Sequence, residues 1–201
     1  MCRDNTYRRN RVYDMTVSSH LYGENNLVYS NIMSYHHIVY NEDGTVFDGK
    51  GAMPPAFDSV PWSDGVSIGN VLVNNTFYDV ASSFSLKDTQ YAAQRVYDNI
   101  YVNNLIVNWS YDVKEYPGAF FDETHGINYV MNNAMYSANG RTDHYVVNGV
   151  TYKTEDANDL IGYSGNTYGD PKFLTADVNL TGKYLRQDFT LSKDSPFRQA
   201  G

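Results

Sequence analysis

The sequence has little that would cross-link the chain or hold it in a bilayer. It contains one cysteine, Cys2, among 201 residues, so no disulfide can form within the chain. No apolar run approaches the roughly 18 residues that a membrane-spanning helix needs, so we expect no membrane span. The first residues, Met1 to Asn5, lack the apolar core of a signal peptide, so we expect none in this chain.

Positive charge is also scarce. The chain carries 15 Lys and Arg against 23 Asp and Glu, which gives a net charge of -8. Surfaces that bind nucleic acid concentrate Lys and Arg on one face, so we expect no nucleic-acid partner. An acidic substrate would need a local basic patch that works against the overall field.

The chain is rich in one short repeated phrase. An asparagine is followed by an apolar residue two places on, a second asparagine five places on and another apolar residue seven places on. The copies are Asn5/Tyr7/Asn10/Val12, Asn26/Val28/Asn31/Met33, Asn70/Leu72/Asn75/Phe77, Asn99/Tyr101/Asn104/Ile106 and Asn128/Val130/Asn133/Met135. A phrase repeated every 20 to 50 residues is typical of solenoids, whose units bury their faces against their neighbours.

The spacing of the copies predicts one all-β domain over residues 1–201, a single-stranded parallel β-helix (β-solenoid) of about five to seven coils. Successive copies begin 21, 44, 29 and 29 residues apart. The 44-residue interval contains a dense series of Gly, Pro, Asn and Asp, which predicts a long loop insertion over residues 41–69. Long loops on a rigid scaffold tend to carry function.

Each coil is predicted to contain three short strands. When coils stack about 4.8 Å apart, identical Asn side chains at an inward corner can form a hydrogen-bonded ladder. The asparagines of the phrase are therefore interpreted as architecture and not as ligands. The third strand lies between one phrase and the next, and its candidates are residues 20–22, 36–40, 83–86, 119–122 and 144–147.

Alternation along the third strand assigns its side chains to two faces. The residues expected to point inward are Leu21, Ile38, Phe84 and Phe121. The residues expected to form an outward column are His20, His37, Ser83, Phe120 and Asp122. This column is the first place to look for chemistry.

The two ends of the chain depart from the phrase. No helix or polar strand precedes Asn5, so we expect missing N-terminal coils or a capping subunit. Towards the other end, Asn148-Gly149 predicts a two-residue hairpin turn. Asn158 and Leu160 indicate an incomplete sixth copy in which Tyr163 replaces the second asparagine. Residues 169–201 are predicted to form an irregular C-terminal closing segment.

Together these features resemble the right-handed parallel β-helix proteins of the pectate-lyase-like superfamily. One motif is the phrase as it stands in Gly69-Asn-Val-Leu-Val-Asn-Asn-Thr-Phe-Tyr78. The other is the ending, Gly-Asp-Pro-Lys-Phe (169–173), Asp-Phe-Thr-Leu (188–191) and Ser-Pro-Phe-Arg-Gln-Ala-Gly (195–201), which is similar to the ends of bacterial secreted β-helix proteins. The resemblance covers nearly the whole chain.

This resemblance implies a right-handed helix, a secreted or cell-envelope location and carbohydrate chemistry. The implied function is that of a polysaccharide lyase or glycoside hydrolase, of which this chain would be the C-terminal part. Because one fold hosts many activities, the resemblance does not by itself define a site. No catalytic motif of the family transfers onto numbered positions of this sequence.

The candidate catalytic residues come from the outward column and the loops beside it. His20 and His37 on successive coils would lie about 5 Å apart, a distance suited to a shared substrate or metal. Asp122 and His125 stand close together in the segment 118–126. A base among these residues could remove a proton α to a uronic-acid carboxylate, or activate water. Arg141, Lys114 and Lys87, in loops that flank these strands, are the candidates for stabilising the negative charge that develops in elimination.

The candidate substrate-binding residues are Trp62, Trp109, Tyr111, Tyr116 and Lys114. Aromatic faces can stack on sugar rings, although packing over the solenoid is their commoner use. The acidic turn at residues 41–48 could ligate calcium but is equally a turn, so no metal ligand is assigned and calcium stays a candidate. The predicted partner is a polysaccharide. The alternative is a non-catalytic glycan-binding, adhesin or structural β-helix module.

Overall fold

The computed structural model describes residues 3–15, 19–21, 23–36, 57–58, 66–80, 82–86, 95–109, 117–121, 123, 126–176 and 188–198. Regular structure within these ranges is almost entirely β-strand, and most strands pair in parallel with the equivalent strands of neighbouring repeats. The prediction of an all-β chain with parallel strands in stacked sheets, as in a β-solenoid, is confirmed. Strands are numbered below in chain order.

The repeated phrase builds two of the sheets. In the described ranges the first sheet contains β1 (Thr6–Arg8), β5 (Leu27–Tyr29), β9 (Val71–Val73), β13 (Ile100–Val102), β16 (Tyr129–Met131) and β20 (Tyr163–Ser164). The second contains β2 (Arg11–Met15), β6 (Ile32–His36), β10 (Thr76–Tyr78), β14 (Leu105–Val107), β17 (Ala134–Tyr136) and β21 (Thr167–Tyr168). The apolar residue of the phrase is the middle residue of most of these strands, and Leu72, Phe77 and Ile106 have no exposed surface. The phrase therefore fills the core.

A third sheet lies between successive copies of the phrase. Over the described part of the chain it contains β3 (Ser19–His20), β7 (Phe57–Asp58), β11 (Phe84–Leu86), β15 (Ala119–Phe121) and β18 (Tyr145–Val147), with β19 (Val150–Tyr152) added antiparallel at its edge. Leu21, Phe84 and Phe121 are buried, as predicted. The turn between β18 and β19 is at Asn148 and Gly149, whose φ values of 49° and 80° fit the predicted hairpin turn.

A fourth, smaller sheet was not predicted. Its strands in the described ranges are β4 (Gly23–Glu24), β8 (Val66–Ile68) and β12 (Arg95–Tyr97), each of which precedes a strand of the first sheet. These two- and three-residue strands come at variable distances along the chain after the strands of the third sheet. They carry no repeated pattern that alternation along the sequence could detect.

The long 41–69 interval is not one uninterrupted loop. β7 lies inside it and pairs with both β3 and β11, and β8 lies at its end. The predicted third strand at residues 36–40 is also wrong in part, because His36 ends β6 in the second sheet. A two-residue strand shows too few alternating positions to stand out among turn-forming residues, so the interval was interpreted as loop throughout.

The asparagines of the phrase form two ladders that run along the stack, as predicted. The first ladder runs Asn5, Asn26, Asn70, Asn99, Asn128. The second runs Asn10, Asn31, Asn75, Asn104, Asn133, Asn166. In every step Nδ2 of one Asn donates to Oδ1 of the Asn in the following repeat, over 2.8 to 3.1 Å. The asparagines are structural.

A residue in the middle of a ladder, such as Asn104, satisfies its amide completely. Oδ1 of Asn104 accepts both the backbone N–H and the side-chain N–H of Asn75, at 3.0 Å each. The remaining N–H on Nδ2 of Asn104 donates to the carbonyl of Leu72 at 2.9 Å. The corner itself is made by the preceding residue, since Asn74 and Asn103 both have φ of 55°. Asparagine tolerates this left-handed conformation better than most residues.

The sixth copy of the phrase is displaced from the predicted position. Val130 pairs with Tyr163 and Ala134 pairs with Thr167, so Asn166 takes the place of the second asparagine and Tyr163 that of the first apolar residue. The same register places Ile161 where the first asparagine would stand. Asn158 ends the second ladder by accepting the backbone and side-chain N–H groups of Asn166 at 2.9 and 3.0 Å.

The C-terminal residues pack against the outer face of the second sheet. Phe173 and Phe189 contact the buried Tyr78, with ring centroids 6.3 and 4.8 Å away. Ala176 and Leu191 belong to the same apolar cluster. This face of the solenoid is therefore covered by the protein's own chain.

Candidate functional site

The outer face of the third sheet carries one column of residues from successive repeats. The register pairs His20 with Asp58, Asp58 with Ser85, Ser85 with Phe120 and Phe120 with Val146. Neighbouring strands lie about 4.8 Å apart, so these positions follow one another at that interval. The residues that flank Ser85 and Phe120 in β11 and β15 belong to the core, so Ser85 and Phe120 lie on the other side of the sheet.

The column differs from the predicted one in two members. His20 and Phe120 share a register position as predicted, but Asp58 and not His37 stands beside His20. Ser85 occupies the place assigned to Ser83. Ser83 is buried before the strand, and its hydroxyl donates to the carbonyl of Gly118 at 2.6 Å. The predicted strand began one residue too early there, so Ser83, which lies before β11, was assigned to the column.

Several predicted site residues lie outside the described residues. They are the catalytic candidates His37, Asp122 and His125, the charge-stabilising candidate Lys87, the substrate-binding candidates Trp62, Tyr111, Tyr116 and Lys114, and the calcium candidates Asn41, Asp43 and Asp48. The structure therefore places His20, Arg141 and Trp109. Of these, His20 belongs to the column, and the other two lie near one another at the corner between the second and third sheets.

Trp109 lies in the core and not on a surface loop. Its side chain has no exposed surface, and its ring meets the ring of His144 edge-on with centroids 5.3 Å apart. A ring with no exposed face cannot stack on a sugar, so Trp109 is removed from the substrate-binding candidates. Trp109 comes two residues after the end of β14, at a corner between strands. The sequence predicts a surface loop there, whereas the side chain at this corner points inward.

Arg141 lies in the loop between β17 and β18. Its Nε donates to Oδ1 of Asp143 at 2.7 Å, and a second N–H of the guanidinium donates to the other carboxylate oxygen. The loop joins the third sheet through Gly118, whose N–H donates to the carbonyl of Asp143 at 3.0 Å. Arg141 thus stands at the edge of this sheet with its charge balanced by a neighbouring carboxylate. Its catalytic role stays a prediction.

His144 is a buried residue that the sequence analysis did not single out. Its Nδ1 accepts the backbone N–H of Thr154 at 2.9 Å, so the ring proton lies on Nε2 and is donated to the carbonyl of Arg141 at 3.1 Å. Its ring stacks on Tyr168 with centroids 4.6 Å apart. This neutral imidazole joins the Arg141 loop, the helix α1 (Thr154–Ala157) and the second sheet.

Stability should fall in mild acid because of His144. Burial lowers the pKa of His144 below its usual value of about 6.5, more than the Arg141 carbonyl and the carboxylates of Glu155 and Asp143 raise it. Below pH 6.5 the unfolded chain therefore binds more protons than the native protein. The contribution of His144 to the free energy of unfolding is complete above that pH and is lost as the pH falls.

The measurement is the free energy of unfolding by denaturant between pH 7.5 and 5, for the wild type and His144→Asn. Asparagine can still accept the N–H of Thr154 but does not titrate. The variant should be less stable at pH 7.5 and should lose less stability on acidification. Parallel pH profiles for the two proteins would contradict this role.

The structure also contains a column of polar corner residues that the sequence did not predict. Asp79, Asn108 and Ser137 each follow a strand of the second sheet, and each is buried. Asp79 and Asn108 have φ of 50° and 55°, and Oδ1 of Asn108 accepts the N–H of Ala138 at 2.8 Å. A polar residue nine places after the start of the last three copies of the phrase was the available signal. These residues shape the turn that leads into the third sheet.

The first sheet presents a different surface. Each residue of its two outward rows on the four strands from β5 to β16 is apolar or aromatic and at least partly exposed. One row is Leu27, Val71, Ile100 and Tyr129, and the other is Tyr29, Val73, Val102 and Met131. Among the described residues nothing covers this face in the way the C-terminal residues cover the second sheet.

The described ranges contain no cluster of three or more His, Cys, Asp and Glu side chains arranged to hold a metal ion. No helix in these ranges has the length and apolar character needed to cross a membrane. Comparison of the chain with protein-family models, with curated proteins and with solved structures found no match.

Proposed function

We propose that this chain is a carbohydrate-active β-helix protein that cleaves a polysaccharide at the outer face of the third sheet. The observation that carries the proposal is the pairing of His20 with Asp58 on adjacent strands of that face. We further propose that the helix is right-handed, has six coils and belongs with the pectate-lyase-like proteins that its sequence resembles. The protein would act outside the cell or in the cell envelope.

The His20 and Asp58 positions suit acid–base chemistry. An imidazole and a carboxylate at neighbouring positions form a pair in which one group can hold or tune the proton of the other. In a lyase this pair would remove the proton α to a uronic-acid carboxylate. The resulting negative charge needs a positive group close to it. Arg141 precedes β18, three strands from Asp58 and so about 14 Å away at the ordinary strand spacing, which is farther than one sugar ring spans.

Hydrolysis is the other reaction open to this face. It requires two carboxyl groups, about 5 Å apart for retention or 6.5 to 9.5 Å apart for inversion of configuration. Asp58 and the predicted Asp122 are the candidates. The pairing of Arg141 with Asp143 leaves this loop close to neutral, which favours a neutral glycan over an acidic one. Elimination and hydrolysis give different products and can be separated directly.

The test is an assay of acidic and neutral polysaccharides with two readouts, ultraviolet absorbance of unsaturated ends and chemical detection of reducing ends. We expect cleavage by the wild type and a loss of about 10²- to 10⁴-fold in His20→Ala and Asp58→Asn, the range typical of a positioned acid or base. Thr167→Ala, at an exposed position of the second sheet, is the control and should retain full activity.

The outcomes discriminate between the hypotheses. Reducing ends without absorbance would exclude the lyase. Full activity in both His20 and Asp58 variants would place the chemistry elsewhere. The absence of cleavage on every glycan would remove the enzyme hypothesis.

A second candidate function is a non-catalytic adhesin or structural module. It is favoured by the apolar outer face of the first sheet, because soluble proteins rarely leave large contiguous apolar patches exposed without an interaction partner. This candidate predicts no cleavage of any glycan in the assay above, with normal folding of the protein.

A further inference from the structure

The first asparagine ladder stops inside the core, at Asn128. Oδ1 of Asn128 accepts the backbone and side-chain N–H groups of Asn99 at 3.1 and 3.0 Å, so its Nδ2 faces the last repeat. The corresponding position of that repeat holds Ile161, whose side chain is 78% exposed and stays out of the core. Among the described residues, no amide oxygen therefore follows Asn128 in this ladder.

The second ladder shows what the Asn128 amide lacks. Asn133 lies in the same repeat, and its Nδ2 donates to Oδ1 of Asn166 at 3.1 Å and to the carbonyl of Tyr101 at 2.9 Å. Nδ2 of Asn128 has no hydrogen-bond partner, although the residue has no exposed surface. Buried donors are almost always bonded to protein or to ordered water, because leaving them without a partner is costly.

A carboxylate takes over one contact of the ladder at this place. In the other rungs the next asparagine accepts the backbone N–H, as Asn128 does for Asn99. For Asn128 itself, Oε1 of Glu123 accepts that N–H at 3.1 Å. Glu123 is fixed in turn by Asn148, whose Oδ1 accepts the N–H of Glu123 at 2.7 Å. The ladder thus meets a positioned carboxylate where an amide would otherwise follow.

Two buried tyrosine hydroxyls belong to the same region. The rings of Tyr145 and Tyr163 lie with centroids 6.1 Å apart, and neither hydroxyl has a hydrogen-bond partner. Burial and, after it, the nearby carboxylate of Glu123 raise the pKa of Tyr163 well above its usual value. The Tyr163 hydroxyl therefore lies near the same carboxylate as the Asn128 amide.

We infer that Asn128, Glu123 and Tyr163 form a binding site for one ordered water molecule inside the solenoid. The water would accept an N–H of Asn128 Nδ2, donate to the carboxylate of Glu123 and share a hydrogen bond with the Tyr163 hydroxyl. Buried waters in proteins typically make about three such bonds to polar groups that lack other partners. The inference does not depend on the proposed catalysis at the third sheet.

Water fits this site better than an ion. Nδ2 of Asn128 presents only N–H groups, which repel a cation. The carboxylate of Glu123 repels an anion in the same way. Water both accepts and donates hydrogen bonds, so it serves the amide and the carboxylate together. It would thereby continue the first ladder by one step.

The experiment is NMR spectroscopy of the full chain, which measures cross-relaxation between water and side-chain amide protons. We expect a cross-peak between long-lived water and the Nδ2 protons of Asn128. Asn133 is the internal control and should show none, because its Nδ2 bonds to protein atoms on both sides. A crystal structure should show one water at about 2.7–3.2 Å from Asn128 Nδ2.

Two substitutions of Glu123 test what holds the water. Glu123→Gln keeps an oxygen acceptor and should keep the cross-peak, whereas Glu123→Ala should lose it. Circular dichroism checks that both variants are folded, and the wild-type measurement stands by itself if one is not. No cross-peak at Asn128 in the wild type would overturn the inference. A direct hydrogen bond from Asn128 Nδ2 to Glu123 in the crystal, or an unchanged cross-peak in Glu123→Ala, would also overturn it.

Discussion

Replacement of Asn104 by alanine is expected to lower the free energy of unfolding by roughly 3–6 kcal/mol, because several buried polar groups lose their partners. Oδ1 of Asn104 accepts two N–H groups of Asn75, and its Nδ2 donates to Leu72 O and Asn133 Oδ1. Alanine removes all four bonds. The side chains at this position are buried, so water does not replace the lost hydrogen bonds: Asn75, Asn104 and Asn133 are at most 1% exposed.

The matched control is Asn10→Ala, in the first rung of the same ladder. Asn10 is exposed, and its removal takes away one donor from Oδ1 of Asn31, which still accepts the backbone N–H of residue 10 at 3.0 Å. We expect a cost of about 1 kcal/mol or less. Denaturant unfolding of both variants gives the comparison. Similar losses of stability in the two variants would mean that the place of an asparagine in the ladder and its burial do not determine how much its hydrogen bonds contribute to stability.

The repeated phrase was sufficient to predict parallel strands in stacked sheets, because each of its four positions has one structural role. The apolar residues, such as Leu72 and Phe77, fill the interior of two sheets, and the asparagines pair with their own copies. Identical residues meet their equivalents only in a stacked parallel arrangement. The pattern therefore indicates both the strands and their partners, which is rare for a β-protein.

The last repeat was placed wrongly because one residue of the phrase had changed. Ile161 stands where an asparagine was expected, and the interval to it is longer than the 29 residues of the two preceding repeats. A search by spacing therefore chose Asn158. In the structure Asn158 serves as the end of the ladder and accepts from Asn166. Only the pairing of β16 with β20 shows that Ile161, and not Asn158, corresponds to Asn128.

The candidate site was predicted less well, since it lies in the part of each coil that does not repeat. The neighbour of His20 is Asp58, which is far along the chain, and no local pattern shows that Phe57–Asp58 is a strand of the same sheet. Trp109 and His144 were misjudged or missed for a related reason. Their burial depends on contacts between turns of different repeats, which a single sequence does not display.

The outer faces of the first, second and third sheets thus differ in the kind of partner that each could bind. The second sheet is covered by the C-terminal residues around Phe173 and Phe189. The first sheet is apolar, which suits a protein partner better than a hydrated glycan. The third sheet carries the His20 and Asp58 positions on β3 and β7, and the Arg141 loop lies by β15 and β18 of the same sheet. We therefore assign the proposed cleavage of a polysaccharide to the third sheet.

Replacement of Gly162 by alanine should destabilise the last repeat strongly. Gly162 has φ of 90°, and an added Cβ would lie 2.4 Å from the carbonyl oxygen of Asn128 and 2.8 Å from a side-chain carbon of Ile127. The backbone oxygen cannot move freely, because the following residues of β16 are paired with β13 and β20. The variant must therefore bear both the left-handed conformation and a steric clash.

Gly149→Ala separates these two contributions. Gly149 has φ of 80°, yet an added Cβ would meet nothing within 4 Å. We expect a loss of roughly 1–2 kcal/mol for Gly149→Ala, from the backbone conformation alone. For Gly162→Ala we expect a further 1–3 kcal/mol from overpacking.

Amide exchange locates the damage within the chain. The N–H of Val130 donates to the carbonyl of Gly162 at 2.9 Å, and that of Asn132 donates to Ser164. Both amides should lose protection in Gly162→Ala and keep it in Gly149→Ala. Equal stability of the two variants would mean that the last repeat can shift away from Asn128 at little cost. Unchanged exchange at Val130 would lead to the same conclusion, since that amide reports directly on the contact between β16 and β20.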